Sequence, residues 1–207
     1  MKINQFEELF NTNIKKKTVL IFEANKYHFE CLPGYAKYFI DLGYEIDILI
    51  HSLGIDSFCL FNIVNKIRFF VFQNLKQLWN NSAKLTSFIK KYDFFVIQTT
   101  DNDNRALFFH LNLLKLNNTI FVFHNMIFID EKYSKFFKSN RIWTLGKMSQ
   151  GLQVNPHYFG DIKIKEKKNK TIFFVTSTIK RNYNNLVESA LKLQKENLNF
   201  EIYIELK

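Results

Sequence analysis

Hydrophobic and polar positions fall into short blocks that change period along the chain. Thr18 to Phe22 (TVLIF) is apolar on both faces, the pattern of a buried parallel strand. After a turn, Leu32, Tyr35, Phe39 and Leu42 recur at three- and four-residue spacing within Cys31 to Leu42, which predicts an amphipathic helix. Pro33 sits in its first turn, where the missing N–H is harmless, and Gly43 is placed to close it as a left-handed cap. Glu45 to Ile50 (EIDILI) reads as the next strand.

The alternation continues. Ile67 to Phe72 (IRFFVF), Asp93 to Gln98 (DFFVIQ), Thr119 to Phe123 (TIFVF) and the short Arg141 to Leu145 read as strands. Ser82 to Lys91, Arg105 to Leu116 and Glu131 to Lys138 read as helices. This order predicts an α/β fold, a Rossmann-like parallel sheet with helices on its faces, over residues 1–160. Asp161 to Lys170 (DIKIKEKKNK) is polar and lysine-rich, and reads as a linker. A second unit then starts, with strand Thr171 to Thr176, helix Asn184 to Glu196 and strand Phe200 to Ile204. A lone β-α-β unit leaves strand edges and a sheet face uncovered, so residues 171–207 are expected to be the start of a larger domain.

Composition narrows the class. The chain has 207 residues, 47% hydrophobic and 23% charged, which suits a globular protein and excludes a disordered one. The 24 phenylalanines accompany abundant Lys, Asn and Ile, the mix of an A/T-rich coding sequence, and carry no functional weight. The net charge of +10 admits an anionic partner, but no motif that reads DNA or RNA accompanies it, so no nucleic acid is expected. Lys15-Lys16-Lys17 and the Lys163 to Lys170 stretch read as solvated connectors. Cys31 and Cys59 form no CxxC pattern, which fits a reducing, cytoplasmic setting without a zinc site. The N-terminus lacks the apolar core of a signal peptide. The longest apolar run, Ile120 to Ile129, is broken by His124-Asn125 and is too short to span a bilayer.

Open parallel sheets bind ligands beyond the carboxyl ends of their strands, so the loops there hold the candidate chemistry. The first, Glu23 to Glu30, offers an imidazole and two carboxylates. His28 and Glu30 form a candidate general-base pair for a hydroxyl acceptor, and Asn25 adds an amide for substrate hydroxyls. The alternative is that Glu30 caps the helix and His28 lies on the surface. The loop has neither GxGxxG nor GxxxxGK[ST], so a nucleotide cradle is not expected there. Thr99, Asp101 and Asp103 are placed to hydrogen-bond a sugar, or Asp103 simply caps the next helix. Their spacing lacks the glycine and distal glutamate of a calcium loop, and no metal site is expected. His124 and Asn125 follow the most apolar strand, as site residues or as an ordinary turn. Thr178, Lys180 and Arg181 lie before a predicted helix and form a candidate diphosphate contact, or an exposed basic turn.

With these residues in place, the chain resembles the GT-B glycosyltransferases over nearly its whole length. The resemblance is most specific in HFECLPGYAKYFIDLGYEIDILI (His28 to Ile50), which is similar to bacterial cell-surface polysaccharide and lipooligosaccharide transferases. It recurs in FVFHN (Phe121 to Asn125) and TIFFVTSTIKRNYNNLVESALKL (Thr171 to Leu193). The resemblance implies an acceptor-binding first domain and a nucleotide-sugar-binding second domain. It implies that Lys180 and Arg181 meet the donor diphosphate and that His124 lies near the donor sugar. It implies no cofactor and no metal. The family's donor site also uses a glycine loop and paired glutamates that follow the second strand of its second domain, and this sequence reaches only Lys207.

The expected function is transfer of a sugar from a nucleotide diphosphate sugar to a cell-surface glycan or lipid-linked acceptor. Peripheral association with the inner face of the membrane fits such an acceptor, and a further C-terminal half or a partner chain is expected to complete the donor site. The alternative is a non-catalytic acceptor-binding half that pairs with a separate donor-binding chain. A basic α/β protein that binds nucleic acid or an anionic membrane is a third reading, and would show steep salt dependence.

Overall fold

Every residue of Thr18–Glu23 is buried, which is what a strand covered on both faces requires. This strand, β2, is the centre of the molecule's main sheet. The computed structural model describes residues 1–15, 17–24, 29, 31–58, 62–98, 116–123, 142–144, 152–154, 170–175, 188–189, 191–192, 195–196 and 200–205. The other strands of this sheet are β1 (Lys2–Gln5), β3 (Glu45–His51), β4 (Ile67–Phe72), β5 (Phe94–Gln98), β6 (Thr119–Phe123), β7 (Ile142–Thr144) and β8 (Leu152–Gln153). Their spatial order is β1-β4-β3-β2-β5-β6-β7-β8, and every pairing is parallel. The chain is therefore an α/β protein with a Rossmann-like parallel sheet.

Side chains alternate across this sheet and split its core in two. Leu20 and Phe22 face one side with Phe70, Phe72, Phe95 and Ile97. A helix, α3 (Ser82–Ile89), covers that side through Leu85, Phe88 and Ile89, and an N-terminal 3-10 turn (Phe6–Asn11) adds Phe6 and Leu9. Val19 and Ile21 face the other side with Ile48, Ile50 and Val96, beneath α1 (Leu32–Asp41) and its Leu32, Tyr35, Ala36 and Phe39. Each fully buried Leu, Ile or Phe contributes about 1.5–3 kcal/mol of hydrophobic free energy.

The helix boundaries have local causes. At the end of α1, Gly43 N–H bonds to Ile40 O at 2.9 Å and Tyr44 N–H to Phe39 O at 3.0 Å. Gly43 has φ +83°, the left-handed conformation that glycine adopts without a Cβ penalty. The Tyr44 and Phe39 rings meet edge to face at 5.7 Å, which completes a Schellman closure. A short helix, α2 (Leu75–Asn80), is opened by Asn74, whose side chain accepts from Gln77 N–H at 3.3 Å. The carboxamide of Gln77 reaches back to accept from Gln73 N–H at 2.6 Å.

On the α3 side, one charged cluster lies inside the core. Asp47 is fully buried in β3 and receives two bonds from Arg68 of β4, Nε–Oδ1 at 2.6 Å and Nη2–Oδ2 at 2.9 Å. Tyr92 donates its hydroxyl to Asp47 Oδ2 at 2.7 Å. The carboxylate is thus enclosed by donors, as a buried charge must be. Burial still pushes the Asp47 pKa up, with the Arg68 and Tyr92 hydrogen bonds working against it. Burial also raises the Tyr92 pKa, helped by the Asp47 charge.

The structure extends the expected element list. β1, α2 and β8 have no counterpart in the hydrophobic pattern. Glu23 belongs to β2 and is fully buried, so it is not part of the following loop, as the pattern led us to expect. The apolar run simply continues its ladder by one polar residue. The expected helices Arg105 to Leu116 and Glu131 to Lys138 lie outside the described residues except for Leu116.

The chain divides into two compact units, Met1–Ile162 and Lys163–Lys207. In the second, β9 (Lys170–Val175) and β10 (Phe200–Glu205) pair in parallel from Phe200↔Lys170 to Glu205↔Val175. Residues 188–189, 191–192 and 195 between them are helical.

Candidate functional site

Chain order reverses at β2. From β2 the chain proceeds through α1 to β3 and β4 on one side, then returns to place β5, β6, β7 and β8 on the other. The boundary between β2 and β5 is the topological switch point. In open parallel sheets, ligands bind beyond the carboxyl ends of the strands at such a point. Glu23 ends β2, Gln98 ends β5 and Phe123 ends β6, on three adjacent strands at one edge.

Glu23 and Gln98 are register partners across the switch point. Both are fully buried. Glu23 has the parity of Val19 and Ile21, and Gln98 that of Val96, so both point to the α1 side. On the other flank, Glu23 is paired with Ile50, which is paired with Val71. The row Val71, Ile50, Glu23, Gln98 is therefore apolar up to the switch point and polar on both sides of it. Both polar residues engage other groups of the protein.

A glycine shapes the same corner. Gly54 lies in the 3-10 turn Ser52–Phe58 that follows β3. A Cβ on Gly54 would lie 2.6 Å from Ile50 Cδ1 and 2.6 Å from Phe29 Cδ1. The absence of a side chain there opens the gap that the buried Phe29 ring occupies beside Ile50. Phe29 ties the connection between β2 and α1 to the α1-side core.

His51, the last residue of β3, also lies at this edge. Its Nδ1 accepts from Leu53 N–H at 3.2 Å, and its Nε2 lies 2.9 Å from Gln73 O. Acceptance at Nδ1 puts the neutral ring's proton on Nε2, where it is donated to Gln73. Ser52 Oγ donates to Gln73 Oε1 at 2.9 Å in the same corner. Nδ1 thus holds the turn that follows β3 and Nε2 ties it to the residue after β4, which makes His51 a brace rather than a base.

The residues expected from sequence to form the site, His28, Glu30, His124, Asn25, Thr99, Asp101, Asp103, Asn125, Thr178, Lys180 and Arg181, lie outside the described residues. The structure does place the strands to which they are joined. Thr99 is bonded to Gln98 and His124 to Phe123, the last residues of β5 and β6. His28 and Glu30 flank Phe29. Sequence reasoning passed over Gln98, Gly54 and His51. For Gln98 a signal was present: a polar residue closing an apolar run just before a polar loop.

Among the described residues, no group of three or more His, Cys, Asp or Glu side chains is arranged to hold a metal ion. No helix among them is long and apolar enough to cross a membrane.

No family model matches the sequence, and no curated protein matches it. Among solved structures, the chain is similar to a crystal structure of Arabidopsis thaliana UGT89C1 complexed with UDP-L-rhamnose, at 13% identity and a TM-score of 0.45. The match covers 93% of this chain, which spans 65% of the length of that one.

Proposed function

We propose that this chain takes part in glycosyl transfer from a nucleotide diphosphate sugar to a hydroxyl of a cell-surface glycan or lipid-linked acceptor. In this reading residues 1–160 bind the acceptor, and the unit that opens with β9 receives the donor. The observation that carries the reading is the strand order. It sends the segments after β2, β5 and β6 from adjacent strands at a switch point, and those segments carry His28 and Glu30, Thr99 to Asp103, and His124 and Asn125. The sequence resemblance to GT-B transferases assigns their chemistry.

The roles follow from the reaction. The acceptor oxygen must lose a proton as it bonds to the anomeric carbon. His28, with Glu30, takes that proton. The bond from the anomeric carbon to the diphosphate breaks, and negative charge builds on the leaving phosphate oxygen. Lys180 and Arg181 meet that charge with charge-assisted hydrogen bonds, and Thr178 adds a hydroxyl. Asn25, Thr99, Asp101, Asp103 and Asn125 supply the amides, hydroxyl and carboxylates that sugar hydroxyls bind, and His124 lies near the donor sugar. Peripheral attachment to the inner membrane surface would bring a lipid-linked acceptor within reach.

Titration calorimetry with UDP-, GDP- and dTDP-sugars tests the donor half of this proposal. Binding is expected for one nucleotide class, weakened about tenfold or more when both Lys180→Ala and Arg181→Ala are introduced, since each charge-assisted bond contributes about 1.5–3 kcal/mol. Equal affinity in wild type and double variant would contradict the assignment.

A further inference from the structure

We infer that the outward face of α2 and α3 docks on a membrane surface rich in anionic phospholipid. This names the surface for the peripheral attachment in the proposed function, and rests on that reading only for what the docking serves.

Gln73 to Tyr92 carries four lysines, Lys76, Lys84, Lys90 and Lys91, and no aspartate or glutamate. All four are exposed. Lys76 and Trp79 are three positions apart and share one face of α2. Lys84 and Lys91 are seven positions apart, close to two helical turns, and share the outward side of α3. The inward side of α3 is spent on the core through Leu85, Phe88 and Ile89. Asn81 both ends α2 and opens α3, so the two helices abut and their outward faces follow one another.

A merely solvated face mixes signs, as α1 does where Lys37 is paired with Asp41 one turn on. On α3 the ammonium groups rest on rings instead. Lys84 Nζ lies 4.3 Å from the centre of the Phe10 ring and Lys91 Nζ 4.7 Å from that of Phe88, and the two rings meet edge to face at 5.8 Å. Cation–π contacts hold lysines without neutralising them. Where α3 ends, Asp93 N–H donates to Thr18 O and Thr18 N–H donates to Asp93 Oδ2, each at 3.0 Å, which brings the exposed Lys17 to the same end. At the other end Glu7 accepts from Gln77 Nε2 at 3.5 Å. Trp79, a large ring left 37% exposed, is the apolar member of the surface. Lysines beside an anionic bilayer gain from its negative surface potential, and an indole settles at headgroup depth. The stretch has no arginine. Lysines are point charges, suited to a diffuse headgroup field rather than to the forked recognition of bases and nucleic-acid phosphates.

The test is flotation of the full chain with vesicles of phosphatidylglycerol and phosphatidylethanolamine, against vesicles of phosphatidylcholine alone. Binding is expected to the anionic vesicles and to weaken as salt is raised. Each lysine near an anionic surface contributes about fivefold to partition, so Lys76→Gln with Lys90→Gln should weaken binding about tenfold or more. Changing all four lysines should weaken it about 100-fold or more, at unchanged melting temperature. The second readout is tryptophan emission. The chain has two tryptophans, and Trp143 is buried with Phe39 of α1 on the opposite side of the sheet. A vesicle-induced blue shift and quenching by brominated lipid are therefore expected from Trp79, and both should vanish in Trp79→Phe. Equal binding to neutral vesicles, or undiminished binding by the folded four-lysine variant, overturns the inference. So does a single-stranded oligonucleotide that binds as tightly as the anionic vesicles and binds Trp79→Phe equally well. Neither readout uses a sugar, so docking is decided separately from the proposed reaction. A protein that floats with the vesicles and transfers no sugar would remove that reaction and leave the docking surface standing.

Discussion

Tyr92 donates its hydroxyl to a carboxylate closed off from water, and this changes how the protein responds to alkali. Its pKa is raised above 10.0, first by burial and then by the Asp47 charge. An unfolded tyrosine ionises near 10.0, so above that pH the unfolded state sheds the proton that the folded state retains. The stability linked to Tyr92 is complete below that pH and is lost as pH rises beyond it. Tyr92→Phe removes a hydrogen bond to a charged group, an expected loss of about 1.5–3 kcal/mol at neutral pH. It should also make the alkaline decline shallower. Urea unfolding at neutral pH and above pH 10.0 measures both, and an unchanged alkaline slope would contradict the coupling. Gly54 makes a second prediction at this scale. Gly54→Ala drives a methyl group into Phe29 and Ile50, and overpacking of this kind costs about 1–3 kcal/mol. Adding Phe29→Leu frees part of the space, so the double variant should melt above Gly54→Ala. A double variant that melts lower would show that the ring is not what the methyl group meets.

The elements show which parts of the fold the chain announces. β2 was legible because VLIF is an unbroken, β-branched-containing apolar run too short for a helix, with side chains on both faces of the sheet. α1 was legible because Gly43 and the three- and four-residue spacing agree, and Gly43 does adopt the left-handed closure. Gly43→Ala should cost about 1–2 kcal/mol by forcing a Cβ into that conformation, read as a lower midpoint in thermal unfolding. No change in midpoint would mean that the closure is not held. β1 was not legible: Lys2–Gln5 is largely exposed, and its strand conformation comes from pairing with β4, which no local pattern reports. α2 is six residues long, too short for its period to emerge, and its start depends on the reciprocal bonds of Asn74 and Gln77. The site was only half legible. A sequence shows that His28 follows an apolar strand, but not that Glu23 and Gln98 face each other across two strands more than seventy residues apart.

At the scale of the molecule, the two-unit division and the sheet order bear on function together. The unit Met1–Ile162 contains both hydrophobic cores and the Asp47–Arg68–Tyr92 cluster, so it is expected to unfold as one cooperative body when expressed alone. Coincident transitions by tryptophan fluorescence and far-UV circular dichroism would confirm this, and a broad, non-cooperative melt would contradict it. The parallel order was legible from the alternation of strand and helix. The position of the switch point between β2 and β5 was not, because pairing order is a long-range property. That position makes the carboxyl ends of β2, β5 and β6 neighbours, and on it the proposed chemistry stands. The most direct measurement is transfer itself: labelled nucleotide sugars and glycan or lipid-linked acceptors incubated with the wild-type protein and with His28→Ala. The account predicts a glycosylated product with the wild type and a loss of about 100- to 10,000-fold in His28→Ala at unchanged melting temperature, the range over which a general base acts. Equal turnover by the two proteins would contradict it.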